Sequence, residues 1–326
     1  MHIAAQGYIF PRATLLQVWI WCDGDMFSRI LFPTDFSEHA KQTLDCIAGF
    51  PGVKEVILLH IIDTSRPGFA PWGISMMEEE AKKQLQSECT LLKAQGVNAR
   101  TIMRTVSHGP VGEMVIRVAE EVDPSMILVG ARGKSILRDI LLGSVSGYVL
   151  RHSPCSVLIM KYRMVEGFRG KTFEKFCPRI LSRVLCPTDF SPPAREALDM
   201  VSNLRGISEI ILLHVVDSGE NEEEIAMRKG EALLEMEKDA LSLARKNIPA
   251  RCLVKVGNPA LEIARCVEEE DVSLVAFSSH GRGWLGGLIP GSTAQEVARV
   301  ASRPVLVIRN PDTEKRNPSA AINRSG

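Results

Sequence analysis

The stretch "RILFPTDFSEHAKQTLDCIAGFPGVKEVILLHIID" (residues 29–63) occurs a second time, little changed, as "RVLCPTDFSPPAREALDMVSNLRGISEIILLHVVD" (183–217). The two align without a gap, and about half of their positions are identical. Further on, "GSVSGYVLRHSPCSVLIMK" (143–161) aligns on "GSTAQEVARVASRPVLVIR" (291–309), and the offset falls from 154 to 148. We expect the six extra residues of the first copy around 65–73. A repeat of this length predicts a duplicated domain.

Each copy alternates continuous apolar runs with amphipathic segments. In the first copy the pattern predicts strands at 29–33, 56–62, 100–106, 126–129 and 157–161, and helices at 37–48, 76–94, 110–121 and 144–152. Apolar strands separated by amphipathic helices indicate a parallel sheet that is covered on both faces. The sequence therefore predicts an α/β protein of two tandem doubly wound domains, each a five-stranded parallel sheet with helices on both faces. The Glu- and Lys-rich helices at 76–94 and 220–246 are predicted to face solvent.

The repeat also sets the predicted domain boundaries. They are an irregular N-terminal extension (1–25), a first domain (26–161), a linker (162–178), a second domain (179–310) and a disordered tail (311–326). The apolar run at 13–22 is too short to span a bilayer, and a basic flank and a small-residue cleavage site are both poor. We therefore interpret it as part of the extension and expect no membrane partner.

Composition excludes some classes of function. The chain has 326 residues, 45% of them hydrophobic, and a formal net charge of zero. No global positive field is present to recruit nucleic acid. The eight cysteines form no C-x-x-C pair and lie mostly in apolar segments, which predicts reduced core residues of a cytoplasmic protein.

A glycine-rich segment, "GARGKSILRDILLGS" (130–144), follows the fourth predicted strand. It is not the phosphate loop of P-loop ATPases, since that motif would need a glycine at the position of Leu128. Glycines let the backbone approach a ligand closely, and a helix N-terminus offers unpaired N–H groups and a positive dipole end. Gly143 and Ser144 are therefore predicted to surround an anion, for which a phosphate is the natural candidate.

This arrangement resembles the ATP-binding branch of the universal stress protein family, over two tandem copies from Met26 to Asn310. The resemblance rests on the spacing G-x2-G-x9-G-[ST] in the glycine-rich segment, together with "PTDFS" after the first strand and "LLHIID" at the second. It implies that the aspartate after the first strand holds the nucleoside, that backbone after the second-strand histidine meets adenine, and that the glycine loop holds ribose and phosphates. The implied cofactor-binding residues are Thr34, Asp35, Ile61, Gly130, Arg132, Gly133, Gly143, Ser144 and Val145.

The second copy keeps only part of this pattern. Its implied residues are Asp189, Val215, Gly281, Gly291 and Ser292, while Ser278 replaces the first glycine. A serine is strained if that position needs a positive φ, so we expect the second site to bind ATP more weakly or not at all.

Other interpretations of the same residues stay open at this point. The glycines can serve only the turn and helix packing. Asp35 can simply cap the following helix. His60 and His214, near the ends of apolar strands, are expected to make local hydrogen bonds and not to bind a metal.

The resemblance implies an ATP-binding regulatory protein of the stress response and not an efficient enzyme, with ATP as cofactor, alone or with Mg²⁺ or Mn²⁺. We predict no catalytic residue and no metal ligand of the chain's own. Two alternatives are a slow Mg-dependent ATPase and an interaction module that binds no nucleotide. The copies are expected to form an intrachain pseudo-dimer through strands 157–161 and 305–309, because these would otherwise be exposed apolar edges. A homodimer of the whole chain is also compatible with the resemblance.

Overall fold

The computed structural model describes residues 25–65, 71–131, 142–162, 164–167, 170–173, 179–219, 221–281 and 290–309. The predicted extension and tail, and the loop residues Arg132 and Gly133, lie almost entirely outside these ranges. In the first copy the elements are β1 (Arg29–Pro33), α1 (Glu38–Ile47), β2 (Glu55–Asp63), α2 (Pro71–Ala94), β3 (Asn98–Val106), α3 (Val111–Val122), β4 (Met126–Gly130), α4 (Ser144–His152) and β5 (Ser156–Met160). All were predicted, and the largest difference is that α2 begins at Pro71.

The second copy repeats this succession. A hairpin of β6 (Met164–Gly167) and β7 (Gly170–Phe173) stands between the copies, so the linker contains regular structure. The second copy then comprises β8 (Arg183–Pro187), α5 (Pro192–Ser202), β9 (Glu209–Val216), α6 (Glu222–Arg245), β10 (Ala250–Val256), α7 (Pro259–Glu269), β11 (Leu274–Ser278), α8 (Ser292–Val300) and β12 (Val305–Ile308).

The strands of both copies join in one ten-stranded sheet, in the order β10-β9-β8-β11-β12-β5-β4-β1-β2-β3. Pairing is parallel within each copy and antiparallel between β5 and β12, where Leu306 lies opposite Leu158. The predicted association through the last strands is confirmed. Within each copy the chain adds strands first on one side of the first strand and then on the other. The order therefore reverses between β1 and β4, and again between β8 and β11.

Helices cover both faces of the sheet. Successive residues of a strand point to opposite faces, so Ile30 and Phe32 pack with α1 and α2, whereas Leu31 packs with α3 and α4. The second copy places α5 and α6 on the first face and α7 and α8 on the other. The doubly wound prediction is confirmed for both copies.

Two buried cations tie the copies together beyond the strand pairing. Lys161, directly after β5, donates from Nζ to the carbonyl groups of Arg299 (3.2 Å) and Ala301 at the end of α8. Arg309, directly after β12, donates in turn to the carbonyl groups of Leu150 (3.2 Å) and Arg151 (3.3 Å) in α4. Each copy therefore caps a helix of the other, at the helix end where a cation is favourable.

The expected position of the six extra residues needs correction. In the first copy Val56 of β2 pairs with Ala99 of β3, and in the second copy the equivalent Ile210 pairs with Ala250 of β10. The offset between the two copies has therefore already fallen from 154 to 151 at β3. Three of the six extra residues thus precede β3. The other three lie between the end of β3 and α3, since α3 begins at Val111 and α7 at Pro259, an offset of 148.

The cysteine prediction is confirmed for the free thiols Cys89, Cys155, Cys186, Cys252 and Cys266. It is wrong for Cys46, which is disulfide-bonded. A search for closely spaced pairs does not detect cysteines that only the fold brings together. In the described part of the chain, no helix is long and apolar enough to cross a membrane.

Candidate functional site

The turn after β1 is held in an unusual conformation. Phe36 has a φ of +58°, in the left-handed region that costs a non-glycine residue about 1–2 kcal/mol. Three contacts stabilise it: its N–H donates to Thr34 Oγ1 (3.2 Å), its ring stacks on His60 with centroids 4.3 Å apart, and His60 Nδ1 donates to the Thr34 carbonyl (2.8 Å). The prediction that His60 makes a local hydrogen bond is confirmed.

Asp35 occupies the middle of this turn and is partly exposed. Its Oδ1 accepts a hydrogen bond from the Ser37 N–H (3.0 Å). The N-cap of α1 is Ser37, whose Oγ accepts from the Ala40 N–H (3.2 Å). The interpretation of Asp35 as the helix cap is therefore wrong. Asp35 lies two residues before the N-cap, and its carboxylate accepts from the N–H of Ser37 and not from the first turn of the helix.

The start of α4 offers backbone donors. Its N-cap is Gly143, with φ −66° and ψ 157°, and no side chain caps the helix. The Gly143 N–H itself donates to the Ala131 carbonyl (2.8 Å), which fixes the helix start against the end of β4. The first-turn N–H groups of Ser144 and Val145, which no helix carbonyl can reach, are therefore available to an anion.

Ser146 is a site residue that sequence reasoning missed. Its hydroxyl donates to the Gly130 carbonyl at 2.6 Å and so connects the first turn of α4 to the last residue of β4. The only signal in the sequence is a second small polar residue two positions after Ser144.

Strand order brings these pieces together. Neighbours β1 and β4 are parallel, with Leu31 opposite Ile127, so the turn at Asp35 and the end of β4 share the carboxyl edge of the sheet at the point of reversal. Ile61 lies on the adjacent strand β2, opposite Arg104. The described residues of the predicted first site thus lie along one edge, in the position where open α/β sheets bind ligands.

The second copy reproduces the turn closely. Phe190 has a φ of +62° and stacks on His214 (4.6 Å), and His214 Nδ1 donates to the Thr188 carbonyl (2.8 Å). Gly281 lies against the Asp189 carboxylate, so closely that a Cβ there would collide with Asp189 Oδ2. In this copy Gly281, a glycine of the spacing motif, is therefore in contact with Asp189, the aspartate after the first strand.

The remaining second-copy residues also occupy the expected places. Gly291 is the N-cap of α8 without a side-chain cap, and Ser292 is the first helical residue. Val215 lies in β9, equivalent to Ile61.

The strain argument for Ser278 is wrong. Ser278 ends β11 in extended conformation and is not among the residues with positive φ. Its hydroxyl instead donates to the His280 carbonyl, and Ala294 stands where Ser146 joins helix to strand in the first copy. The ends of β4 and β11 thus differ in their hydrogen bonds, whereas neither Gly130 nor Ser278 has a positive φ.

A buried carboxyl group lies behind the first turn. Glu88, on the inner side of α2, is 6% exposed and accepts from the Thr34 hydroxyl through Oε1 (3.4 Å). Burial raises the pKa of Glu88 from 4.5 to about 7. The expectation that this helix simply faces solvent is wrong for its inner side, where Ala81, Leu85 and Leu92 pack into the core. A glutamate on that apolar stripe is the signal that the sequence offered.

In the ranges that the structure covers, no three His, Cys, Asp or Glu side chains cluster closely enough to hold a metal ion.

Comparison with known proteins identifies the repeat. The model of the universal stress protein family matches residues 26–161 and again 181–309. A universal stress protein of Methanocaldococcus jannaschii is 33% identical over 158 residues, which cover 42% of this chain and 96% of that protein. One of Mycobacterium tuberculosis is 25% identical over 274 residues, 77% of this chain and 86% of the relative.

Solved structures agree at the level of the whole chain. The crystal structure of a universal stress protein from Archaeoglobus fulgidus superposes with a TM-score of 0.66 at 26% identity, covering 89% of this chain and 99% of that one. The superposition thus extends over both halves of the chain. The chain belongs to the universal stress protein family, as a member with two tandem domains.

Proposed function

We propose that this chain is a regulatory protein that binds an adenine nucleotide, ATP, in its first domain. The observation that carries the proposal is the N-terminus of α4, which lacks a side-chain cap and opens at the same sheet edge as Asp35. Backbone N–H groups and the helix dipole favour phosphate there. Asp35 has the acceptor oxygens that ribose hydroxyls need, and in this proposal the base lies against the backbone of Ile61.

The helix caps of the same copy support this interpretation. Ser37 begins α1 with φ −68° and ψ 163°, and its side chain accepts a hydrogen bond from the first turn. Gly143 has nearly the same dihedral angles but no side chain to satisfy the helix. A ligand oxygen is a suitable replacement for the missing cap.

A regulatory role fits the chemistry of this edge better than efficient catalysis. Phosphoryl transfer needs a positioned base and carboxylates that fix the metal. The first turn of α4 carries Ser144, Val145 and Ser146, none of which supplies a carboxylate. Mg²⁺ or Mn²⁺ would in this proposal be held mainly by the triphosphate.

The test is calorimetric titration of the full chain with ATP, ADP, AMP and GTP. We expect saturable binding of adenine nucleotides and weaker binding of GTP, together with release of an adenine nucleotide when freshly purified protein is denatured. Absence of both heat and released nucleotide would refute the proposal. An Asp35→Asn variant should keep the Ser37 hydrogen bond, since an amide oxygen also accepts, while weakening ATP binding if the carboxylate contacts ribose.

A further inference from the structure

Glu88 occupies a costly position for a carboxyl group. Its side chain lies between α2 and the end of β1, and its second oxygen, Oε2, is buried without a hydrogen-bond partner in the described structure. A buried polar atom without a partner costs free energy, and the cost is much larger for an ion than for a neutral acid. A leucine or methionine would pack on this stripe without that cost, so stability alone does not account for the carboxyl group.

The hydrogen bond that the described structure gives its side chain connects Glu88 to the candidate site. The Thr34 hydroxyl donates to Glu88 Oε1 (3.4 Å) while accepting from the Phe36 N–H (3.2 Å). The Thr34 hydroxyl thus connects Glu88 by hydrogen bonds to the strained turn that contains Asp35. The Thr34 carbonyl is held from the other side by His60 (2.8 Å).

The charged groups around Glu88 come from two neighbouring elements. Lys41 on α1 favours the ionised form, whereas Asp35 in the turn after β1 disfavours it. Desolvation is the largest influence and also favours the protonated form, so the pKa of about 7 leaves both forms populated at neutral pH. His60 on β2 contacts the other end of the same residue, through its hydrogen bond to the Thr34 carbonyl.

We propose that Glu88 is a positioning residue of the first nucleotide site, which supports the turn at Thr34 and takes up a proton when an anionic nucleotide binds. This inference rests on the proposed function. Bound phosphates add negative charge to the edge where Asp35 already disfavours ionised Glu88, and the protonated form becomes more populated. By linkage, ATP then binds more tightly at low pH than at high pH.

The second copy has a related but different arrangement. Asp239 is the equivalent residue on α6, and its Oδ2 is likewise buried without a partner in the described structure. Burial raises its pKa too. The shorter aspartate makes no described hydrogen bond to Thr188, however, so the link from acid to turn belongs to the first copy.

The experiment measures proton uptake directly. The full chain is titrated with ATP at about pH 7 in two buffers of different ionisation enthalpy, as wild type and as Glu88→Gln. The phosphates of ATP titrate in the same range, so the difference between the two proteins is the readout. We expect wild type to take up a fraction of a proton more than Glu88→Gln. Its affinity should also fall by up to about tenfold from about pH 6 to about pH 8, relative to the variant.

Matched variants separate the outcomes. Glu80→Gln changes an exposed glutamate of the same helix and should leave the proton uptake of wild type unchanged. Glu88→Met also removes the titrating group, suits an apolar surrounding, and must lack the extra uptake as well. Equal uptake in wild type and both Glu88 variants, with ATP still binding, would overturn the inference and leave the proposed function intact. Absence of ATP binding to wild type would overturn both.

Discussion

Replacing Gly143 by aspartate should remove ATP binding and at the same time stabilise the protein. Gly143 has φ −66° and ψ 157°, almost the angles at which Ser37 caps α1 and Ser191 caps α5. An aspartate in this conformation reaches the N–H groups of the first turn of α4, which we assign to the phosphate. A Cβ at this position meets the Ala131 carbonyl oxygen at 3.5 Å, an ordinary contact, so the side chain fits.

The two effects have opposite signs and different sizes. An aspartate N-cap is better than glycine by a few tenths of a kcal/mol, and its charge at the helix N-terminus adds about 0.5 kcal/mol, so we expect a gain of about 0.5–1 kcal/mol. A carboxylate about 4 Å from a phosphate costs ~4 kcal/mol at an effective dielectric constant of about 20. Because every ~1.4 kcal/mol is tenfold, ATP affinity should fall by more than about a hundredfold.

The assay combines calorimetric titration with ATP and urea unfolding of the same preparations. Gly143→Ala should keep most of the affinity, and Gly143→Asn, which caps without charge, should be intermediate. Gly291→Asp makes the mirror change at α8 and should leave binding at the first site intact. Wild-type affinity in Gly143→Asp would show that the N-terminus of α4 does not hold phosphate. A large loss of stability would show that the cap geometry was misjudged.

Three further predictions concern proton linkage, the interface and the second site. The pKa of Glu88 is raised from 4.5 to about 7, so the protonated form stabilises the fold at low pH and this contribution is lost as the pH rises through that window. In urea unfolding, the stability of Glu88→Gln relative to wild type should therefore increase by about 2 kcal/mol from about pH 4.5 to pH 8, after allowance for solvent screening. A stability difference that does not change with pH would contradict the assignment. Lys161→Met should destabilise the chain by about 2 kcal/mol, because carbonyl groups at the end of α8 lose a buried hydrogen-bond donor. Lys93→Met, on an exposed surface, is the control and should have little effect on stability. Equal effects of the two substitutions would refute the capping role. In the Gly143→Asp background, residual ATP binding reports the second domain, and we expect at least about tenfold weaker affinity than that of the wild-type first site; equal affinity would show that both sites bind equally well.

The fold was largely predictable because it depends on patterns that the chain displays twice. The apolar run at 56–62 is broken by His60 alone, and the matching run of the second copy confirms the assignment independently. The pairing of β5 with β12 followed from a physical requirement, since an apolar edge strand needs a partner. The reciprocal caps made by Lys161 and Arg309 did not follow, because a cation after a strand gives no indication of which helix end it will meet.

The site was predictable where it depends on spacing and not where it depends on contacts across the fold. The motif led to Gly143 and Asp35, which the structure places at one edge of the sheet. Glu88 was missed because a single acidic residue in a helix rich in Glu and Lys resembles its solvent-exposed neighbours. Its burial is decided by the register of α2 on β1, and composition does not report that register.

The two domains differ in side chains that pack behind the candidate sites, while the turns after their first strands are the same. The turns at Phe36 and Phe190 share a positive φ, a stacked histidine and the same hydrogen bond to a threonine carbonyl. These contacts stabilise each aspartate turn whether or not a ligand binds, so they cannot by themselves indicate a working site. Besides Gly130, two groups of the first copy differ: Ser146, which joins α4 to β4, and Glu88, which supports Thr34. In the second copy an alanine and a shorter acid replace them. Under the proposed function, a difference in affinity between the two domains should therefore depend on those side chains and not on the turn that both domains share.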